Sequence, residues 1–198
     1  MKKKMTKIKN YFSQSAKTIN NLYYFQAKID KITQLILKCY HSKQKIFVGG
    51  NGGSSSDGDH FVGELQCTFD NRKRPAIPAI SLNNNTASLT AWSNDFKFET
   101  FYERQIKALG TMGDILILLS TSGGKKKGQS SNLVLAAKEA TRKKIKVISF
   151  VGKKGGELKK ISDICIHIKN NNTAIIQQSQ MAILHYICSD IEKKINAK

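Results

Sequence analysis

Acidic residues are scarce in this chain. Its 198 residues include 14 Asp and Glu against 33 Lys and Arg, a formal charge of +19. Proline is nearly absent, at two residues, so it marks few element boundaries. The four cysteines, Cys39, Cys67, Cys165 and Cys188, are far apart and form no C-x-x-C pair. That spacing excludes a zinc finger or a disulfide framework, and a reducing cytoplasmic setting is expected. No apolar run is long enough to span a bilayer, so no membrane association is expected. The basic start, MKKKMTKIKNYF, is not followed by an apolar stretch with a small-residue cleavage site, which argues against a secretory signal.

A cationic excess of this size would point to nucleic acid if it were concentrated in one region. Here the lysines are scattered along the whole chain. Lysine far outnumbers arginine, and isoleucine and asparagine are also abundant. All three residue types share AT-rich codons, so a biased, solvated surface accounts for the charge. Nucleic acid is not the expected partner, although the charge could help to collect a small anionic substrate.

The length suits one good-sized core. A single domain over 1–198 is expected, with a helical segment over about 1–43 and a core over about 44–198. The first forty residues read as helix, because Leu22, Phe25, Ile29, Ile32, Ile36 and Cys39 recur every three or four positions. Short apolar runs then alternate with helical patterns. Strands are expected at "KIFVG", "AIPAISL", "DILILLS", "IKVISFVG" and "DICIHIK". Helices are expected through "TASLTAW", "FETFYERQIKAL", "SNLVLAAKEATRKK", "GGELKKIS" and the long "TAIIQQSQMAILHYICSDIEKKI". Near-continuous apolar strands alternating with helices predict an α/β fold, a three-layer α/β/α sandwich around a five-stranded parallel sheet with extra N-terminal helices. "GGKKKGQSS", 123–131, reads as an exposed loop.

In such a sheet, ligands bind beyond the carboxyl ends of the strands. The first strand runs into Gly49-Gly50-Asn51-Gly52-Gly53-Ser54, and the third into Ser120-Thr121-Ser122-Gly123. Glycines allow close backbone approach, and hydroxyls with free N–H groups can hold a phosphate without a fixed cation. Neither loop is a Walker A motif or a dinucleotide fingerprint. Plain turn chemistry would explain either loop alone, but two of them at strand ends favour a phosphate ligand. On a helix expected to open at Ser55 or Ser56, His60 and Glu64 are one turn apart and share a face. That spacing suits a metal pair, an acid/base pair or an ordinary exposed helix. The helix dipole accounts for Asp57. Gln177 and His185 share a face of the last helix, beside a buried stripe of Ile183, Leu184, Ile187 and Cys188. Cys67 reads as core, His167 as structural and His41 as surface.

"GNGGS", "HFVGEL", "SLTAWSNDFKFE", "FYERQIKALG", "GDILILLSTSG" and "TAIIQQSQMAILH" occur in this order between about residues 10 and 193. Together they are similar to the phosphoheptose isomerases of the SIS (sugar isomerase) superfamily. The resemblance implies a five-stranded parallel sheet, a homotetramer with active sites shared between subunits, and a sugar-phosphate substrate. The implied reaction interconverts sedoheptulose 7-phosphate and D-glycero-D-manno-heptose 7-phosphate, for lipopolysaccharide or other surface glycans. It also implies that Asn51, Gly52, Gly53, Ser54, Ser120, Thr121, Ser122 and Ser130 bind substrate, mostly around its phosphate, with Ser131 as the alternative to Ser130. Asn94 and Asp95 match a substrate-contacting pair, and Glu64 and His185 match the acid/base residues. His60, Glu64, Gln177 and His185 match positions that hold zinc in some members, and His60 and Gln177 are substrate-site residues too. The sequence departs from the family pattern in two places. "GKKKGQ" is inserted after STSG, and Ile175 and Gln178 stand where the family commonly has arginine and glutamate. The competing reading is a non-enzymatic SIS protein of the DnaA-binding type, or an isomerase of another phosphosugar. Glu64 and His185 argue for an enzyme, because a binding module has no need of that pair.

Overall fold

The computed structural model describes residues 2–195, with side chains from residue 6 on. Met1 and residues 196–198 of the expected span lie outside the described residues. The chain opens with α1 (Lys2–Asn20), a 3-10 turn (Asn21–Phe25) and α2 (Gln26–His41). The expected N-terminal helix is thus two helices. The apolar stripe continues through the break, with Leu22, Ile29, Ile32, Ile36 and Cys39 all buried. Five strands follow: β1 (Ile46–Gly50), β2 (Ala79–Ser81), β3 (Ile115–Ser120), β4 (Lys146–Val151) and β5 (Ile164–His167). Between and after them run α3 (Gly53–Gln66), α4 (Thr86–Asp95), α5 (Phe101–Leu109), α6 (Ser131–Arg142), α7 (Leu158–Ile161) and α8 (Thr173–Ile195).

All strand pairs are parallel, in the order β2-β1-β3-β4-β5. Side chains alternate across this sheet and both faces are covered. Ile46, Val48, Ile117, Leu119 and Phe150 pack with α2, α3 and α8, through Ile32, Ile36, Phe61, Leu65, Leu184 and Ile187. Phe47, Leu116, Leu118 and Val147 face α5 and α6, through Phe101, Ile106, Leu133, Ala136 and Ala140. The result is the expected three-layer α/β/α arrangement.

Side-chain caps set several helix starts. Asn85 Oδ1 accepts from Ser88 N at 2.9 Å at the start of α4. Asn172 Oδ1 accepts from Ala174 N at 3.0 Å at the start of α8. Each satisfies an otherwise orphaned helical N–H. Two expectations require correction. Helix α3 begins at Gly53, not at Ser55 or Ser56, because Ser54 N and Ser55 N already bond the carbonyls of Asn51 and Gly52. The "GGELKKIS" run forms only a four-residue helix, Leu158–Ile161, since its glycines are spent on the turn before it.

Candidate active site

The strand order reverses direction between β1 and β3, the place where open α/β sheets put their ligands. Both polar loops singled out in the sequence leave the sheet at this point. Together they line a cavity of about 430 Å³ formed by Asn51, Gly52, Ser54, Phe98, Leu119, Ser120, Thr121, Ser122, Gln129 and Ser130. None of these lining residues is charged. Ser130 is on the wall, whereas Ser131 is buried and its hydroxyl has no partner.

The geometry of the β1 loop follows from its glycines and from a polar support behind it. A Cβ at Gly50 would meet the Ser54 carbonyl at 2.3 Å, so only glycine lets the chain curl back to start α3 there. Asn51 and Asn132 exchange amide hydrogen bonds, each 2.9 Å, and Asn51 Nδ2 also reaches Ser130 Oγ at 3.3 Å. The Tyr102 hydroxyl lies 2.6 Å from Gly50 O and 2.6 Å from Asn83 Oδ1. The sequence reading missed Tyr102, Asn83 and Asn132. Only Asn132 carried a signal, as the asparagine that closes the S-x-N pattern after STSG.

A second polar cluster lies farther along α3. This helix and α8 run side by side in the same direction. A Cβ at Gly53 would sit 2.3 Å from Gln177 Nε2, so the glycine leaves the space that this amide fills. One turn on, Gln177 Nε2 approaches Asp57 Oδ2 at 3.5 Å. Next, the rings of His60 and His185 meet edge to face at 5.1 Å. His60 Nε2 is 3.0 Å from Glu64 Oε1. Phe69 stacks on His185 at 5.6 Å. Burial pushes the Cys188 thiol up to about 12, and the Glu64 carboxylate adds to that shift.

Asp57 therefore does more than face a helix dipole. Burial pushes its carboxyl above the usual carboxylate range, against the opposing effects of the Gln177 hydrogen bond and His60. Cys67 is exposed rather than core, since α3 ends at Gln66 and the chain turns outward there.

The structure brings His60 against Glu64 and His185, and Gln177, eight residues before His185 on α8, reaches Asp57 on the turn of α3 before His60. Among the described residues, no three His, Cys, Asp or Glu side chains close around a point that could hold an ion. The donor types, two imidazoles, a carboxylate and an amide oxygen, suit zinc. Asn94 and Asp95, on the exposed helix α4, bond each other at 2.8 Å and do not line the cavity. Ile175 is buried, and Gln178 ties α8 to α1 by accepting from Ser15 Oγ at 2.6 Å and donating to Tyr11 Oη at 3.0 Å.

Distance also separates the two halves of the site. Glu64 is eleven positions after Gly53 on α3, about 16 Å along its axis. The hydroxyl cradle and the imidazole–carboxylate cluster are thus near opposite ends of α3.

The parallel 2-1-3-4-5 sheet with an uncharged hydroxyl cradle at its switch point belongs to a SIS domain: residues 10–152 match the SIS domain family. The chain belongs, within that class, to the phosphoheptose isomerase family. It is 35% identical over 195 residues to the phosphoheptose isomerase of Sulfurimonas denitrificans, covering 98% of this chain and 92% of the relative. The phosphoheptose isomerase of Clostridium acetobutylicum is 35% identical over 188 residues, 95% of this chain and 92% of that one. The solved structure of a phosphoheptose isomerase from Francisella tularensis superposes with a TM-score of 0.89 at 31% identity, covering 96% of this chain and 99% of that one.

Proposed function

We propose that the protein is an isomerase that interconverts sedoheptulose 7-phosphate and D-glycero-D-manno-heptose 7-phosphate. The product would feed the heptose units of lipopolysaccharide or another surface glycan. The observation that carries this reading is the pairing of two sites on α3: an uncharged hydroxyl cradle at its start and an imidazole–carboxylate cluster near its end.

The reaction moves a carbonyl from C2 to C1. A base takes the proton from C1, the C–H electrons form the C1–C2 double bond, and the C2 oxygen takes up a proton to give an enediol. The O1 proton then leaves, the C1 carbonyl forms, and C2 takes up the returning proton. Glu64 and His185 are the groups suited to these transfers, since a carboxylate and an imidazole can each accept and return a proton and both belong to the His60 cluster. Asn51, Gly52, Gly53, Ser54, Ser120, Thr121, Ser122 and Ser130 hold the phosphate end by hydroxyl and N–H donors. Asn94 and Asp95 are the further proposed contacts to the sugar.

A homotetramer with shared sites is the proposed assembly. It is supported by the length of α3 between the two half-sites, and by Phe12, Tyr23, Tyr24 and Tyr186, which are 63%, 59%, 72% and 53% exposed. Aromatic surface of this extent marks an association face. Zinc is the proposed cofactor, with His60, Glu64, Gln177 and His185 as donors; when bound it would polarise the sugar carbonyl. A cytoplasmic location is proposed as well, and no described helix is long and apolar enough to cross a membrane.

The test is direct. Purified protein incubated with sedoheptulose 7-phosphate in heavy water should form the aldose and incorporate solvent deuterium. No turnover of any ketose or aldose phosphate, together with capture of a replication-initiation protein, would replace this reading with the regulatory one.

A further inference from the structure

We propose that the three consecutive lysines Lys125, Lys126 and Lys127 form a cationic collar on the phosphate cavity that sets its affinity for a doubly charged phosphate ester. The inference rests on the reading that this cavity receives the phosphate end of a sugar phosphate.

The cavity itself offers a dianion only neutral donors. Hydroxyl and N–H groups supply direction, but the attraction that draws a dianion out of bulk water must come from charge nearby. The lysines lie in the loop that joins two stretches of cavity wall, Ser122 on one side and Gln129 and Ser130 on the other. All three are exposed.

The loop is fixed at its base and closed at its tip. Gly123 N donates to Ser120 Oγ at 3.1 Å and Gly124 N to Ser122 Oγ at 3.3 Å, so the hydroxyls of the cradle also anchor the loop. Across the base, Leu158 N bonds Gly123 O at 2.9 Å and Glu157 N bonds Gly124 O at 3.0 Å. Lys125 N closes onto Gln129 O at 3.0 Å. Each lysine is within three residues of a cavity-lining residue, which caps the backbone separation at about 11 Å. That is about one Debye length at 0.1 M salt, close enough for the charges to be felt at the cavity.

Glu157 is the acidic group facing this loop. Its carboxylate is hydrogen-bonded to Lys160 at 2.8 Å. That bond, with Lys126 and Lys138 nearby, holds its carboxyl below the usual range. Its charge is taken up by Lys160, and the collar keeps a net positive field. Lysines on a merely solvated loop would leave binding at the cavity indifferent to their removal.

The experiment compares the assembled wild-type protein with K125Q/K126Q/K127Q and with K125R/K126R/K127R. KM and kcat for sedoheptulose 7-phosphate are measured from about 10 mM to about 0.5 M salt. The glutamine variant should show a KM raised about 3- to 20-fold at the lowest salt, an unchanged kcat, and convergence with wild type at the highest salt. The arginine variant should follow wild type, which separates charge from loop folding. An active wild type whose KM and salt dependence are matched by the glutamine variant overturns the collar and leaves the isomerase reading intact. If wild type does not turn the sugar over, the isomerase reading fails, and calorimetric binding of inorganic phosphate decides the collar. Weaker binding by the glutamine variant supports it; equal binding, or none by either protein, overturns it.

Discussion

Glu64 is held from two directions. Its carboxylate meets His60, and its main-chain carbonyl accepts from Arg74 Nη2 at 2.5 Å. Arg74 also caps the end of α3 through Leu65 O at 2.9 Å and Cys67 O at 3.1 Å. Arg74 is itself paired with Glu192 at 3.1 Å, both being buried. If Glu64 moves the carbon-bound proton, Glu64→Gln should keep the shape of the site and lower kcat by about 10²–10⁴-fold. Deuterium exchange into substrate should disappear with it, while affinity for the sugar phosphate persists. His185→Gln should fall steeply too, and the double variant should lose less than the two energies combined. Glu192→Gln, which leaves the buried guanidinium without its counter-charge, should destabilise the fold by about 3–5 kcal/mol in denaturant titrations. Burial pushes the Glu192 carboxyl up, but the N–H groups of Phe69, Asn71 and Asp70 and the Arg74 guanidinium outweigh this and hold its pKa low. A carboxyl with a depressed folded pKa contributes its stability above the unfolded value near about 4.3 and loses it as pH falls toward the folded one. Melting temperature should therefore drop below about pH 4 in wild type, and less so in Glu192→Gln. None of this pair was legible in the sequence, because Arg74 and Glu192 are 118 positions apart and each alone reads as surface charge.

At the level of elements, most of the fold was legible. Five apolar runs became five strands because parallel strands covered on both faces carry no polar interruption to hide them. The α8 stripe of Ile183, Leu184, Ile187 and Cys188 is buried as its spacing implied. What the sequence could not show was relative placement. The parallel packing of α3 on α8 puts Asp57 against Gln177 and His60 against His185, although each pair is more than a hundred residues apart in the chain. Nor could it separate α1 from α2, since the apolar stripe runs through the 3-10 turn unchanged. The β3 loop carries a prediction of its own. Ser120 and Ser122 each bond a loop N–H and face the cavity, so a Ser120→Ala, Ser122→Ala double variant should raise KM strongly with a smaller change in kcat. A folded double variant with unchanged KM would remove the phosphate assignment.

For the whole molecule, the exposed aromatic surface on α1, the 3-10 turn and α8 leads to an assembly prediction. A cavity of about 330 Å³ lined by Ile19, Leu22, Tyr23, Gln26, Ile29, Ala182, Ile183 and Tyr186 lies among these elements and the start of α2. Sedimentation velocity should give a tetramer, and a fully active monomer would refute both the assembly and the shared site. Elemental analysis of protein purified without chelator should find zinc at a substantial fraction per chain, and full activity after exhaustive chelation would remove the metal from the mechanism. The length of α3 between the cradle and Glu64 bears on complementation. Two chains, one weakened in substrate binding at Ser120 and Ser122 and the other in turnover at Glu64, carry lesions in different half-sites. Co-expressed in one cell, they would form mixed oligomers in which some sites draw an intact cradle from one chain and an intact Glu64 from the other. The mixed population would then turn over dilute sugar phosphate faster than either chain alone.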